Sequence, residues 1–328
     1  MDKENKKQRK LIIQIPCLNE AESLPVSLAA LPRKVEGFTT VEWMILDDGS
    51  TDETIAVALE HGVDHVVKAS THQGLAKMFM LGLDACVKLG ADVIVNTDAD
   101  NQYCADDIPV LVKPIIEKKA NIVVGERPIE EIEHFSLVKK FLQRFGTFVV
   151  RQLSGTEVRD ATSGFRAISR EAAVQLNVFN EYTYTLETII QAGHKGIALV
   201  SVPIRTNPDL RSSKLVKSIS SYVRKSLVTI LRIYLIYRPA LTFSRLSILP
   251  FIAGTGLTAR WLYYFFFYYD VTRSRVPSLV VGISLLIATI FLFIFGVIAE
   301  LISTNRKMLE ETLARIRRIE GNNDKTDT

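Results

Sequence analysis

Two carboxylates stand one residue apart in NTDADNQY, Asn96 to Tyr103, directly after the apolar run ADVIV. Asp98 and Asp100 repel each other, and residues two apart on a strand point to the same side. A hard divalent cation relieves that repulsion: Mg2+ or Mn2+ takes one or two carboxylates and completes its shell with water and substrate phosphates. Gln102, at the next alternate position, suits a metal-bound water or a phosphate. A lone D-x-D is also what a solvated strand end looks like, so its neighbours decide. A second acidic turn, DDGSTDET (Asp47–Thr54), follows the strand-like EWMIL. Gly49 permits a tight turn, and Ser50, Thr51 or Asp52 suits a helix cap. Capping accounts for Asp52 and Thr54. It does not account for the adjacent pair Asp47–Asp48, which suits hydrogen bonding to a base or a ribose. In a third stretch, IPCLNEAESL, Pro16 ends a strand and Asn19 and Glu20 open a helix. The five histidines are scattered, no Ser–His–Asp set is visible, and His72 reads as a loop residue.

These residues need a scaffold that gathers strand ends. LIIQI, VEWMILD, HVVKA, DVIVNTD and NIVVG are short and rich in Val and Ile. Helical patterns lie between them, at Glu20–Leu31, Asp52–His61 and Gly74–Leu89. The alternation predicts an α/β fold with a mainly parallel sheet. Ligands of such sheets bind at the carboxyl ends of the strands. The chain of 328 residues suffices for one or two domains with a full core. A formal charge of +4, acids and bases nearly balanced, gives no footing for nucleic acid. Three cysteines without metal-type spacing read as reduced thiols. MDKENKKQRK is a charged tail without the apolar h-region and cleavage site of a signal peptide, so the N-terminal part is expected to stay cytoplasmic.

After Pro208 the character changes. Residues 214–238 space Lys217, Arg224, Lys225 and Arg232 among Ile, Leu, Val and Tyr. This is the pattern of a helix lying in a membrane interface; a helix covering the sheet is the alternative. Pro277–Ala299 is 23 residues without a charge, above the roughly 20 that span a bilayer. An earlier apolar segment, Leu246–Tyr269, contains Arg260 before the aromatic run WLYYFFFYY. Aromatics favour the membrane boundary, so Arg260 is expected to snorkel to the far interface; contact with a lipid phosphate is the alternative. Arg238 and Arg245 precede the first span, and Arg306, Lys307, Arg315, Arg317 and Arg318 follow the second. The positive-inside rule then predicts a multi-pass protein of the cell (inner) membrane with both termini cytoplasmic. A charged amphipathic helix, Thr304–Ile319, is expected to lie on the membrane or pack on a neighbouring subunit, which hints at a homo-oligomer. GNNDKTDT reads as a disordered tail.

Taken in order, IPCLNE, DDGSTDET and NTDADNQY resemble family 2 glycosyltransferases of the GT-A fold. DATSGFRAISREA (Asp160–Ala172), YTLETIIQAG (Tyr184–Gly193) and VPIRTNPDLRSSKL (Val202–Leu215) are similar to the polyprenyl-phosphate branch. That branch holds dolichol-phosphate mannose synthases and bacterial and archaeal polyprenyl-phosphate hexose synthases. The resemblance covers Leu11 to Pro239. It implies that Asp98, Asp100 and Gln102 hold Mg2+ or Mn2+ with the diphosphate of a nucleotide sugar. It implies that Asp48, beside Asp47, contacts the base, and that Pro16, Asn19 and Glu20 form the donor loop. Gly74, Leu75 and Ala76 would pack beside the nucleotide, and Arg127 would face the acceptor phosphate. Arg205, Arg211, Ser213 and Lys214 fall in the element near both phosphates. The family's glycine before the S-K pair is absent from DLRSSK, so Arg205 and Arg211 both stay open for the phosphate-facing role. Asp160 would orient the acceptor or the SGFR segment; capping a loop and pairing Arg166 is the alternative.

The implied organisation is a tail (1–10), a GT-A domain (11–213), an interfacial helix (214–238), two transmembrane helices (239–302) and a cytoplasmic helix with a tail (303–328). The implied enzyme is a membrane-bound inverting glycosyltransferase. It moves a hexose from a UDP-hexose, with UDP-glucose favoured, or from GDP-mannose, to a polyprenyl phosphate. A processive polysaccharide synthase would need more spans and a tryptophan motif that neither Trp43 nor Trp261 supplies. A non-catalytic scaffold would not need Asp98, Asp100 and Gln102 together. A nucleotidyltransferase would need a glycine-rich phosphate loop near IPCLNEAES, which has none.

Overall fold

The computed structural model describes residues 9–128, 137–178, 184–208, 228, 232, 235–268 and 276–323, the side chains of 137–142, 318 and 320–323 excepted. Arg211, Ser213, Lys214 and most of the basic stretch 214–238 lie outside the described residues. The chain divides into two units, Met1–Ser226 with Glu310–Thr328, and Leu227–Leu309.

The first unit is built on a seven-stranded sheet: β1 (Lys10–Cys17), β2 (Thr40–Asp47), β3 (His65–Lys68), β4 (Val93–Asn96), β5 (Ile122–Glu126), β6 (Arg166–Ser169) and β7 (Leu199–Pro203). The order is β3-β2-β1-β4-β6-β5-β7. All strands run parallel except β6, which is antiparallel to both neighbours. The helices are α1 (Leu24–Ala30), α2 (Thr54–Glu60), α3 (Leu75–Lys88), α4 (Ile108–Ile116), α5 (Leu137–Ser154), α6 (Arg170–Ala173) and α7 (Thr185–Lys195). The central strands are covered on both faces, which is why they read as near-continuous apolar runs. Leu11, Ile13 and Ile15 join one core layer with Leu24, Leu28 and Leu111. Ile12 and Met44 are buried on the other side, as are Met78, Phe79 and Leu83 of α3. There α3 comes so close at Gly82 that a Cβ would fall 2.5 Å from Gln14 Oε1 and Leu46 Cδ1. Close approach thus offsets the roughly 1 kcal/mol that glycine costs inside a helix.

The five strand-like runs of the sequence are β1 to β5. β6 and β7 were not read as strands: RAIS opens on a charged residue, and LVSVP is short and ends in proline. Three details differ from expectation. Pro16 lies within β1, opposite Leu46, and the strand ends at Cys17. Helix α1 begins at Leu24, after a turn, so Asn19 and Glu20 precede it by several residues. Strand β4 ends at Asn96, so Asp98 and Asp100 stand on a turn beyond it, not on the strand. Asn101 at that turn adopts φ 56°, a left-handed conformation that asparagine tolerates. The topology brings the C-terminal ends of six strands and the N-terminal end of β6 to one edge of the sheet.

The second unit holds α8 (Pro239–Phe267) and the first part of α9, which runs from Val276 to Asn323. Both helices are long and apolar enough to cross a membrane, the most apolar 18-residue stretch of each having a mean hydropathy of 1.3 and 2.8. Large apolar side chains point outward, among them Leu249 (78% exposed) and Phe267 (72%). Small residues make the helix contact: a Cβ on Gly254 would lie 2.9 Å from the Gly282 carbonyl, and one on Gly282 2.6 Å from Thr258 Oγ1. Such close packing is how helices associate where lipid removes the hydrophobic drive. Arg260 is exposed on α8.

The separate helix expected at Thr304–Ile319 is instead the continuation of α9, because no proline or glycine interrupts the chain between Gly296 and Gly321. Its final segment groups with the first unit. Glu310 is buried and pairs with Lys195 at 3.1 Å. Arg317 pairs with Asp84 at 3.1 Å and donates to Leu176 O and Asn177 Oδ1, each at 2.8 Å.

Candidate active site

The ends of β1, β2 and β3 form one corner of the sheet edge. Asp47 closes β2, is fully buried, and accepts the Ser50 N–H at 3.3 Å. The buried Asp48 carboxylate accepts the N–H groups of Gln73 (2.6 Å) and Gly74 (2.9 Å) and faces His72 Nδ1 at 2.8 Å. Asp48 therefore ties the DDGS turn to the loop before α3. Gly49 makes this approach possible. Its φ is +81°, and a Cβ there would stand 3.2 Å from the His72 nitrogen. Gly74, at φ 91°, opens α3, and Ala76 is buried in its first turn. Asn19 adopts φ 54°; its N–H donates to Ser50 Oγ (2.9 Å), and its Oδ1 accepts the Thr51 N–H (2.8 Å). The Glu20 N–H donates to Thr54 Oγ1 at 2.9 Å, and the Glu20 carboxylate accepts from Ser23 Oγ at 2.7 Å. Asp52 does not cap α2, whose N-cap position is Glu53; its carboxylate instead takes the N–H groups of Thr54 and Ala21, both at 3.1 Å, and ties the turn to the neighbouring loop. IPCLNE and DDGSTDET are thus one structure.

The second corner gathers the ends of β4, β5 and β7 with the start of β6. Loss of hydration, and then the charge of Asp100, push the Asp98 carboxyl up to about 7. Tyr103 stands beside Asp98, and its hydroxyl accepts the Gly164 N–H at 3.0 Å. Asp100 accepts the backbone N–H of Gln102 at 3.1 Å. The loop is tied to the segment after β7: Asn207 N–H donates to Gln102 O, and its Nδ2 to Asn101 O, both at 2.9 Å. Arg205 clasps Asp107, with Nε at 3.0 Å and Nη2 at 2.6 Å from Oδ1 and its N–H at 2.6 Å from Oδ2. Of the two arginines left open by the sequence, Arg205 thus anchors this loop, and Arg211 lies outside the described residues.

Arg127 and Asp160 form a buried two-pronged pair, Nε–Oδ2 at 2.7 Å and Nη2–Oδ1 at 3.1 Å. Nη2 also donates to Thr162 Oγ1 at 2.8 Å. Burial alone would raise the Asp160 carboxyl; the charge and hydrogen bonds of Arg127, with those of Thr162, outweigh it and hold it below its ordinary value. The suggested Asp160–Arg166 pair is not what forms. Arg166 is fully buried and donates to the carbonyls of Ser163 (2.8 Å), Ala161 (3.0 Å) and Thr185 (2.9 Å) and to Thr188 Oγ1 (2.6 Å). Arg127 is the cation beside Asp160 because β5 and β6 are neighbours, which no local spacing could show.

Four residues of this corner were not singled out from the sequence. Asn96 Nδ2 donates to the Gly164 carbonyl (3.0 Å) and to the Tyr184 hydroxyl (2.8 Å), while its Oδ1 accepts from Gln14 Nε2 (2.9 Å). Tyr184 is buried, its ring stacked on Phe79 at 3.9 Å. Tyr103 and Gly164 complete the set. The available signal was polar residues inside apolar strands, Gln14 in LIIQI and Asn96 in VIVN, since a buried amide must find partners.

The donor set fits a hard cation. Among the described residues no three His, Cys, Asp or Glu gather into a cage, but Mg2+ or Mn2+ carrying a diphosphate needs only one or two carboxylates. A parallel-rich sheet with acidic turns and a D-x-D loop at one edge defines a GT-A-type transferase. Residues 12–176 match the model of glycosyl transferase family 2, and the chain belongs to that family: it is a glycosyltransferase. It is 28% identical to polyprenol monophosphomannose synthase of Mycolicibacterium smegmatis, over 63% of this chain and 81% of that protein. It is 30% identical to UDP-N-acetylglucosamine–dolichyl-phosphate N-acetylglucosaminyltransferase of Methanococcus voltae, over 50% of this chain and 73% of that one. The fold matches glucosyl-3-phosphoglycerate synthase of Mycobacterium tuberculosis, solved with Mn2+, UDP and glucosyl-3-phosphoglycerate. The TM-score is 0.55 at 22% identity, covering 68% of this chain and 80% of that one.

Proposed function

We propose that this glycosyltransferase moves a hexose from a nucleotide diphosphate sugar to a polyprenyl phosphate at the cytoplasmic face of the cell membrane. The observation that carries the reading is the pair Asp98–Asp100 on the turn at the sheet edge, where burial and then the charge of Asp100 raise the Asp98 carboxyl. Relatives named for polyprenyl- and dolichyl-phosphate sugar transfer support the acceptor. The two apolar helices suit an enzyme whose acceptor is a lipid. The positive flanks favour cytoplasmic termini. A UDP-hexose, glucose first, is the donor we favour.

Asp98, Asp100 and Gln102 would hold Mg2+ or Mn2+. When bound, the ion neutralises charge on the leaving diphosphate. Asp47 and Asp48 would meet the base or ribose. Pro16, Asn19, Glu20, Gly74, Leu75 and Ala76 would frame the nucleotide. The acceptor needs no general base, because a phosphate monoester with a second pKa of about 6 is already a nucleophilic anion at neutral pH. Its oxygen attacks the anomeric carbon as the bond to the diphosphate breaks, which inverts the configuration. Arg127 stands on the acceptor side with Asp160 as its orienting partner. That buried pair is neutral as a whole, so net attraction for the lipid phosphate falls to Arg211 and Lys214, with Ser213 beside them.

The test is transfer of radiolabel to undecaprenyl phosphate by detergent-purified protein with Mg2+ or Mn2+. UDP-glucose, UDP-N-acetylglucosamine and GDP-mannose are supplied in parallel, with Asp100→Ala as control. Label entering the organic phase from one donor, and lost in the variant, supports the reading. Donor binding without any lipid product contradicts the acceptor and favours a processive synthase. Failure to bind any donor favours a scaffold.

A further inference from the structure

We propose that Tyr103 and Gly164 are positioning residues that aim the Asp98 carboxylate at its cation, an inference that rests on the reading of Asp98 as a metal ligand. Tyr103 is buried, and its ring lies flat on Phe165, centroids 5.1 Å apart and planes within 10°. The hydroxyl cannot swing away. It has one proton to give and lone pairs to accept with. The Gly164 N–H donates to it at 3.0 Å, which holds the hydroxyl beside the Asp98 carboxylate. The other side of the Gly164 peptide is fixed as well. Its carbonyl accepts from Asn96 Nδ2 at 3.0 Å and from the Tyr184 hydroxyl at 3.4 Å.

The absence of a side chain at residue 164 completes the arrangement. A Cβ there would stand 3.2 Å from each Asp98 oxygen and 3.1 Å from the Tyr184 hydroxyl. The carboxylate therefore rests against the bare Cα of Gly164, whose N–H the Tyr103 hydroxyl holds in place. The φ of Gly164 is not in the left-handed region, so space is the reason for glycine, not backbone freedom. The backbone of the carboxylate's loop is held at both ends, by Asn96 before it and by Asn207 Nδ2 on the Tyr103 carbonyl (3.3 Å) after it. Hydrogen bonds of this kind orient ligating carboxylates and tune the ion they hold.

The test uses the full-length protein with Tyr103→Phe, which keeps the stacked ring and removes only the hydroxyl, and Gly164→Ala, which fills the space beside Asp98. Mn2+ affinity is measured by electron paramagnetic resonance with UDP present, UDP affinity is measured in EDTA, and folding is followed by a thermal melt. Mn2+ affinity is expected to fall by about 10- to 100-fold in each variant. UDP affinity in EDTA should be unchanged, and transfer should recover at high Mn2+. A merely structural tyrosine would move the melt and leave Mn2+ affinity alone. If Tyr103→Phe fails to fold, Gly164→Ala decides. Folded variants that bind Mn2+ as wild type does overturn this inference and leave the proposed function standing. A wild type that binds no Mn2+ with UDP overturns both.

Discussion

The two corners of the sheet edge are held by different means. At the β1–β2–β3 corner, the loops IPCLNE and DDGSTDET, 31 to 34 residues apart, are joined by single bonds between side chains and backbone N–H groups at exposed or half-buried positions, and only the tie from Asp48 to the loop before α3 is buried. At the β4–β6–β5 corner, hydrogen bonds reach across 61 to 88 residues, and the charged pair Arg127–Asp160 is buried. A bond that water can replace is worth about 0.5–1.5 kcal/mol. A buried charge that loses its partner costs several times more. The contacts between those two loops can therefore yield to an incoming ligand at small cost. The second corner must be complete before any ligand arrives.

The comparison can be broken where the difference is greatest. Asp160→Asn leaves Arg127 buried against a neutral partner, and we expect a loss of about 3–5 kcal/mol in urea unfolding. A loss below about 1 kcal/mol would place the two corners in one class. Asp98→Asn keeps the shape and removes charge; kcat/KM for sugar transfer should fall about 10²–10³-fold, the scale of losing one element of charge stabilisation at a reacting centre. Its stability should stay near wild type or rise, since a repelling charge is gone.

The pH dependence follows from Asp160. Its folded-state carboxyl lies below its ordinary value, which is about 3.9 in an unfolded chain. The stability it contributes is fully present above that unfolded value and is lost as pH falls through the folded one. Urea midpoints at decreasing pH below about 4 should therefore fall more steeply for wild type than for Asp160→Asn. The smallest effect belongs to the other corner. Asp52→Ala removes an acceptor shared by Thr54 and Ala21 and should cost about 1 kcal/mol, with no change in Mn2+ affinity.

The same contrast explains what was legible in the sequence. The first corner announces itself, because turns and caps use a short alphabet of Asn, Asp, Ser, Thr and Gly at fixed spacing. NEAES and DDGSTDET could be read as loops at strand ends, although Pro16 lay inside the strand and helix α1 began later than its polar start suggested. Five of the strands followed from apolar runs. Strand β6 did not, since Arg166 becomes a strand residue only when Ser163, Ala161 and Thr185 supply carbonyls to its guanidinium. The second corner showed its carboxylates but not their supports. Nothing local pairs Asn96 with Tyr184, or Arg127 with Asp160, until β4, β6 and β5 lie side by side. The long helix α9 misled for the opposite reason: its change from apolar to charged composition looked like a boundary, while the backbone continued without a break.

The central claim is that the Asp98–Asp100 turn takes a cation together with a nucleotide diphosphate. Calorimetric titration of UDP into wild type and Asp100→Ala, each with Mn2+ and with EDTA, tests it most directly. The account predicts that Mn2+ tightens UDP binding to wild type by at least about tenfold, roughly 1.4 kcal/mol, and that this gain disappears in Asp100→Ala. Equal UDP affinity with and without Mn2+ in wild type, or a gain of the same size in the variant, would contradict it.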